Sequence, residues 1–248
     1  MFTHNKLKVY GKALAFFGVA DRWLPKWGHR HAVVDQLGRA SESILLNLAE
    51  GSRLREPSRK AQALDYALGS ALECAACLDI AAIKEFLNAV EVGKQKRCLL
   101  EIALMLISLR KTWLAGEIRE DYIEYQLGQT GREPEKRFHH ERLDVYQTGL
   151  AFMRWFTAQP GGRELSHRLA RRIDQAATGI VLNIAEGNGR YAQLDHLRFL
   201  EMAAAATVKA SAYLDLWGQT VSPTLLEATS GQESLRRILA MLEKMLAS

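Results

Sequence analysis

The stretch that decides the fold is Gln36–Ser52, which reads Gln-Leu-Gly-Arg-Ala-Ser-Glu-Ser-Ile-Leu-Leu-Asn-Leu-Ala-Glu-Gly-Ser and closes on Asn47-Leu48-Ala49-Glu50-Gly51. Its ending returns 136 positions later, within Arg172–Asn188, as Asn183-Ile184-Ala185-Glu186-Gly187. At that same offset, without an insertion, Leu7-Lys8-Val9-Tyr10 pairs with Leu143-Asp144-Val145-Tyr146, and Leu78-Asp79 with Leu214-Asp215. Ala15-Phe16 likewise pairs with Ala151-Phe152, and Leu99, Ile102, Met105 and Leu106 pair with Leu235, Ile238, Met241 and Leu242. Self-similarity at one fixed offset reads as a tandem duplication of one unit. Each unit has roughly 110 residues, enough for a core of its own.

Outward from that stretch, apolar residues recur at helical steps. Leu7, Tyr10, Leu14, Phe17 and Leu24 predict a first helix from about Lys6 into the low twenties, ending near Pro25 and Gly28. A second begins near His31 and carries Val33, Leu37, Ala40, Ile44 and Leu48 on one stripe. It is expected to stop at Gly51, where glycine can take the left-handed conformation that closes a helix. Pro57 and Ser58 open an Ala-rich third helix, because proline is tolerated in a first turn and serine is a common cap. A fourth is expected over Lys94–Leu114. Residues 116–138 read as a polar linker, acidic at first and broken by Gly128, Gly131 and Pro134. The second unit predicts helices over Arg142–Gln159, Leu165–Glu186, Gln193–Trp217 and Gly231–Leu246, the last with Ser230 as cap and Glu233 three residues on. The expected fold class is therefore all-α: two tandem antiparallel up-down four-helix bundles, residues 1–115 and 139–248.

Composition agrees with this reading. The 248 residues are 48% apolar and 25% charged, with only five prolines among many Ala, Leu, Glu, Arg and Lys. No run approaches the ~20 uninterrupted apolar residues of a membrane span. The start Met-Phe-Thr-His-Asn-Lys lacks the apolar centre of a signal peptide, so a cytoplasmic location and no membrane partner are expected. Cys74, Cys77 and Cys98 all fall in the first unit, opposite Ala210, Tyr213 and Ser234, which fits reduced structural thiols better than a disulfide framework. The net charge of +5 is uneven: residues 1–115 hold 17 Lys/Arg against 11 Asp/Glu, whereas residues 139–248 hold 12 against 11.

Gln-Leu-x-Arg-Ala followed by Asn-x-x-Glu-Gly at a helix end, and then by an Ala-rich helix, is a recognisable pattern. It resembles the bacterial four-helix bundle proteins encoded by intervening sequences in large-subunit ribosomal RNA genes, a family related in fold to the accessory variability determinant of diversity-generating retroelements. The first unit carries the resemblance best, through Gln36, Arg39, Ala40, Ser43, Ile44, Asn47, Glu50, Gly51 and Gly69-Ser70. The second departs from it at Arg172, Gln175, Gly179 and Ala205-Ala206. The resemblance implies a helical bundle, ring-forming homo-oligomers that are often pentamers, and a role in binding nucleic acid.

Asn47 and Glu50, like Asn183 and Glu186, share a helix face near a C-terminus, where a glutamate opposes the helix dipole. With Gly51 and Gly187 they form a structural motif, each glutamate being expected to find a partner on another helix or subunit. In an up-down-up-down bundle the start of helix one, the end of helix two, the start of helix three and the end of helix four share one end. In the first unit that end gathers Lys6, Lys8, Arg53, Arg55, Arg59, Lys60, Arg110 and Lys111, a candidate patch for successive phosphates. A solvated, solubilising bundle end is the alternative reading. The second unit offsets Arg142, Arg190, Arg198 and Lys244 with Glu141, Asp144 and Asp195. Cys74-Ala-Ala-Cys77 and Glu164-Leu-Ser-His167 have ligand-like spacing without companions, so neither metal nor cofactor is expected. Trp23, Trp27, Trp113 and Trp155 near helix ends are candidates for exposed subunit contacts or base stacking, with packing at the core's edge the equal alternative.

These features predict a non-enzymatic protein that binds structured nucleic acid, RNA above all. The alternative is a protein-interaction or scaffold module, partnering for example a nucleic-acid polymerase. An enzyme comes third, since no nucleophile-base pair, phosphate loop or metal set is present in the sequence. For assembly, a linker spanning at most ~80 Å lets the two units meet as neighbours, predicting a pseudo-symmetric monomer or an even-numbered homo-oligomer. Glu117, Glu120, Asp121 and Glu124 at the linker's start are expected to neutralise part of the basic patch.

Overall fold

A computed structural model describes residues 2–114, 137–220 and 225–247. Among these residues there is no strand, and eight long helices carry the chain: α1 (Lys8–Asp21), α2 (Ala32–Arg53), α3 (Pro57–Ile83), α4 (Ala89–Trp113), α5 (Asp144–Ala158), α6 (Arg168–Gly187), α7 (Gln193–Thr220) and α8 (Leu225–Leu246). Each of α5–α8 starts 136 positions after its counterpart in α1–α4. Within the first four, α1 and α3 each lie against both α2 and α4; within the last four, α5 and α7 each lie against both α6 and α8. Cross-links fix the directions. Ser43 of α2 meets Ser70 of α3, Asp79 and Asp65 of α3 meet Lys96 and Arg110 of α4, and Gln232 of α8 meets Ser211 and Asp215 of α7. All of these pairings run antiparallel, the arrangement of an N-terminal and a C-terminal four-helix bundle.

The bundles share a seam in which α3 packs against α6 and α5, and α2 also touches α6. This explains why so long a helix as α3 can be so apolar. By length and composition it would suffice to cross a membrane, but most of its apolar window is buried. A helix apolar all round belongs between two layers, and α3 has its own bundle on one side and the C-terminal bundle on the other. Cys74 and Cys77 are fully buried there, and burial raises both thiols well above their usual range.

Local signals moved several expected boundaries. Gly51 does not close α2, which continues to Arg53 with Gly51 in ordinary helical geometry. The glycine instead permits contact: a Cβ there would stand 3.0 Å from Ala63 Cβ and 3.2 Å from the Trp113 ring. The N-cap position of α3 is held by Glu56 rather than Ser58; the Glu56 side chain caps no backbone N–H and instead accepts the Ser58 hydroxyl at 2.5 Å. α4 begins at Ala89, ahead of the expected Lys94, because the Asn88 side chain accepts the Glu91 N–H at 2.9 Å. α8 likewise starts before Ser230, which lies inside the helix and accepts the Ser234 hydroxyl through its carbonyl. The four tryptophans are not exposed. Trp23 stacks on Trp27 and Trp27 on Phe86, Trp155 stacks on Phe152, and Trp113 lies on Gly51.

Candidate nucleic-acid interface

The expected basic end starts from that Gly51 contact. Gly51 near the end of α2, Ala63 near the start of α3 and Trp113 at the end of α4 pack together, so those three termini share one end of the N-terminal bundle. The turn Thr3–Lys6 that leads into α1 also lies against α2. Lys6, Lys8, Arg53, Arg55, Arg59 and Lys111 are exposed there. The remaining two of the eight are committed elsewhere. Lys60 is half-buried, with its ammonium 5.2 Å from the Trp113 ring centroid. Arg110 turns into the seam, where Nε meets Asp65 at 2.6 Å and the guanidinium lies 4.0 Å from the Tyr191 ring centroid. Burial pushes Asp65 up to about 6 against the pull of Arg110. The linker acids Glu117, Glu120, Asp121 and Glu124 lie outside the described residues.

The residues that marked the first unit's helix two and helix three collect in a different place. Gln36, Arg39, Ala40, Ser43, Asn47 and Ser70 line an open cleft of about 410 Å³ at the seam. Its other walls are Tyr66, Glu73, Glu186 and Arg190, none of which stood out as a cleft residue in the sequence. Within it the Asn47 amide donates to the Ser43 carbonyl at 2.8 Å, and the Ser43 and Ser70 hydroxyls are 2.8 Å apart. Asn183 makes the matching bond to the Gly179 carbonyl at 2.7 Å. The two motif glutamates diverge. Glu50 is exposed, whereas Glu186 is drawn into the cleft and pairs with Arg190, one turn on in its own chain rather than on another helix or subunit.

Arg190 is the key of the cleft. Its guanidinium lies 4.8 Å from the ring centroids of both Tyr66 and Phe199, spanning the two bundles. Gly69 makes room for it, since a Cβ there would stand 3.0 Å from Arg190 Cζ, and a Cβ on Gly189 would stand 3.0 Å from Gly69 Cα. Beside it stands Glu73, half-buried in the cleft wall. Burial first, and then the like charge of Glu186, push its carboxyl up to about 8 despite Arg39 and Arg190. His167 of the Glu-x-x-His stretch serves as a cap, its Nδ1 accepting the Leu169 N–H at 3.2 Å. Among the described residues no three His, Cys, Asp or Glu side chains cluster as a metal site would require.

Residues 5–108 match the model of the family described as 23S rRNA-intervening sequence protein. The match lies within the N-terminal bundle and covers less than half of the chain. No curated protein and no solved structure matched the chain. Lys6, Lys8, Arg53, Arg55, Arg59 and Lys60 of the basic end and one wall of the cleft fall within the matched residues, while Arg110, Lys111, Glu186 and Arg190 lie beyond them.

Proposed function

We propose that this chain is a non-enzymatic helical-bundle protein that binds structured RNA through the exposed cations at the end of its N-terminal bundle. The observation that carries the reading is the α2–α3 junction. Arg53, Arg55 and Arg59 stand exposed within seven residues, with Glu56 the sole acid among them, in the part of the chain akin to a family described by ribosomal RNA. Arginines on a rigid helix junction can each donate two hydrogen bonds to phosphate, and Lys6, Lys8 and Lys111 extend the same end.

Fluorescence anisotropy with a structured RNA tests this at low salt and over a salt series. Affinity should fall steeply with salt, and Arg53→Ala/Arg55→Ala/Arg59→Ala should weaken it at least ~10-fold and flatten the log–log salt slope by ~2–3. Absence of binding to structured RNA and duplex DNA at low salt, or an unaffected triple variant, would sink the reading. The protein-partner alternative is favoured by exposed apolar side chains such as Leu46, Met202 and Leu216. Co-purification with and without nuclease separates the two, because an RNA partner is lost on digestion and a protein partner stays.

A further inference from the structure

The cleft at the seam is polar where pairing the helices does not require it. Arg39, Ser43 and Asn47 form one row on α2, and Tyr66, Ser70 and Glu73 form the facing row on α3. At the matching positions, 136 residues on, the C-terminal bundle has Gln175, Gly179 and Asn183 opposite Met202, Ala206 and Lys209. There the same pair of helices closes up, and a Cβ on Gly179 would stand 3.5 Å from that of Ala206. Only the asparagine recurs, bonded in both bundles to the carbonyl four residues back. Polar groups drawn into a seam cost free energy unless something uses them. At about 410 Å³ the open cleft falls in the ~300–1,000 Å³ range of small-ligand sites.

The hydrogen bonds inside the cleft decide what it can read. The Asn47 amide nitrogen is spent on the Ser43 carbonyl and hydroxyl, at 2.8 and 3.0 Å. Ser70 donates to the Tyr66 carbonyl at 3.0 Å, so the Ser43 hydroxyl donates to Ser70. With these donors spent, the floor presents acceptors: Asn47 Oδ1 and the carboxyl oxygens of Glu73, with Glu186 beside them. Donors come from Arg39 at the lip. Its tie to Asp35 at 3.0 Å is an exposed pair, worth little and readily exchanged. Arg190 lies over one side of the Tyr66 ring at 4.8 Å, and the ring is still 38% exposed.

Acceptors on the floor, an arginine at the lip and an aromatic ring beside them select one nucleobase. Guanine carries adjacent donors, N1–H and N2–H, on its Watson–Crick edge and adjacent acceptors, O6 and N7, on the other. Adenine and cytosine turn an amino group toward the arginine, and uracil has a single N–H to give. A cationic ligand would satisfy the acceptors but meet Arg39 and Arg190. The cleft also adjoins the basic end. Arg59 precedes Tyr66 by two turns on the same row of α3, ~10 Å along the axis. Gln62 stands between them, its Nε2 3.3 Å from the Tyr66 hydroxyl.

We propose that the cleft is a guanine site, in which Glu73 and Asn47 accept from N1–H and N2–H, Arg39 donates to O6 and N7, and Tyr66 stacks on the base. Arg59 then holds an adjoining phosphate, so an unstacked guanine of the bound strand is the occupant. That source rests on the RNA reading; the site itself does not. Glu73 is faced by Arg39 from α2 and by Glu186 and Arg190 from the C-terminal bundle, and its carboxyl stands at about 8. It must ionise to accept both N–H groups, so binding releases a proton and strengthens as pH rises from 6 to 8.

Two hairpin RNAs that differ in one unpaired loop base, G or A, test it by anisotropy, beside calorimetric titrations with GMP and AMP. At pH 8.5 the G hairpin should bind at least ~10-fold tighter than the A hairpin, and the ratio should fall toward one by pH 6. Glu73→Gln, and separately Arg39→Ala, should bring the ratio near one. The ratio is the readout because a change of charge alters affinity for every RNA. Arg53→Ala/Arg55→Ala/Arg59→Ala should weaken both hairpins and keep it. GMP preferred over AMP by a chain that binds neither hairpin would keep the site and remove the RNA reading. The same preference with hairpins that bind alike would assign the site to free nucleotides. Hairpins that bind alike, with no preference for GMP, would refute the site and leave the RNA reading standing. A preference that survives Glu73→Gln would also refute it, and so would a chain that binds no hairpin and neither nucleotide.

Discussion

Two parts of one seam, three turns apart on α3, are built on opposite electrostatic terms. At Lys84 the charge is fully buried and fully answered: Nζ stands 2.5 Å from Asp174 Oδ1, and Asp174 Oδ2 accepts the Ala32 N–H at 3.0 Å. That second bond satisfies a free donor in the first turn of α2, so one carboxylate ties the ends of α3 and α6 to the start of α2. At Glu73 the carboxyl is half-buried, and burial and the like charge of Glu186 outweigh the pull of Arg39 and Arg190. The first site holds the bundles together. The second resists them once Glu73 ionises. Buried ion pairs cost much to break and little to replace as a pair, whereas like charges at a cleft cost only in the pH range where both exist.

The largest effect should come from breaking the first site. Asp174→Ala leaves the Lys84 ammonium buried alone and the Ala32 N–H without its acceptor, and should cost ~3–5 kcal/mol in urea unfolding. Changing Lys84→Met in the same chain should recover part of that loss, because no ion is then left without a partner. Next, Tyr146→Phe deletes the phenol that donates to Asp79, a carboxylate also held by Lys96 at 2.6 Å, and should cost ~1–2 kcal/mol.

Glu73→Gln sharpens the comparison in the other direction. A carboxyl raised to about 8 in the fold, from about 4.5 unfolded, binds its proton more tightly when folded, so stability falls as pH rises between those values. Removing it should therefore raise Tm clearly at pH 9, each kcal/mol being worth ~2–4 °C in a chain of this size. Near pH 5 the difference should vanish; a gain that persists there would place its cause outside this titration. The smallest effect belongs to the exposed fork in which Arg163 donates to both Glu85 oxygens, at 2.6 and 2.7 Å. Arg163→Ala should leave the urea midpoint unchanged within error, since a solvated pair offsets its attraction with side-chain ordering.

Whatever repeats within one helix was legible in the sequence. The apolar stripes of α1–α4 and the 136-residue offset gave the order and pairing of the helices, because amphipathic periodicity is a local property. The seam was not legible. Lys84 and Asp174 look like any surface charges until two helices 90 residues apart are brought together. The repeat offers no echo of them, since their counterparts are Thr220 and Gly38. Arg110 illustrates the same limit, because topology placed it at the basic end while Asp65 and Tyr191 claimed it. The ends of helices failed for a different reason. Gly51 has the identity of a stop signal, yet its missing side chain is used for contact with Ala63 and Trp113. Ser230 has the identity of a cap, yet the helix had already started at Leu225.

The position of α3 between two bundles also sets a clock on biosynthesis. About 100 residues separate the end of α3 from the end of α6, which at ~5–20 residues per second is a delay of about 5–20 s on the ribosome. During that interval the nascent chain presents Ile80 and Leu72 uncovered and Lys84 without Asp174. In polysomes, where several copies emerge side by side, an older neighbour's finished α6 face competes for that surface. Once the chain's own α6 emerges it holds the advantage, because a tether of this length supplies an effective concentration near the millimolar range. Slowing elongation between residues 84 and 187 should therefore enrich assemblies in which seams have formed between chains rather than within them.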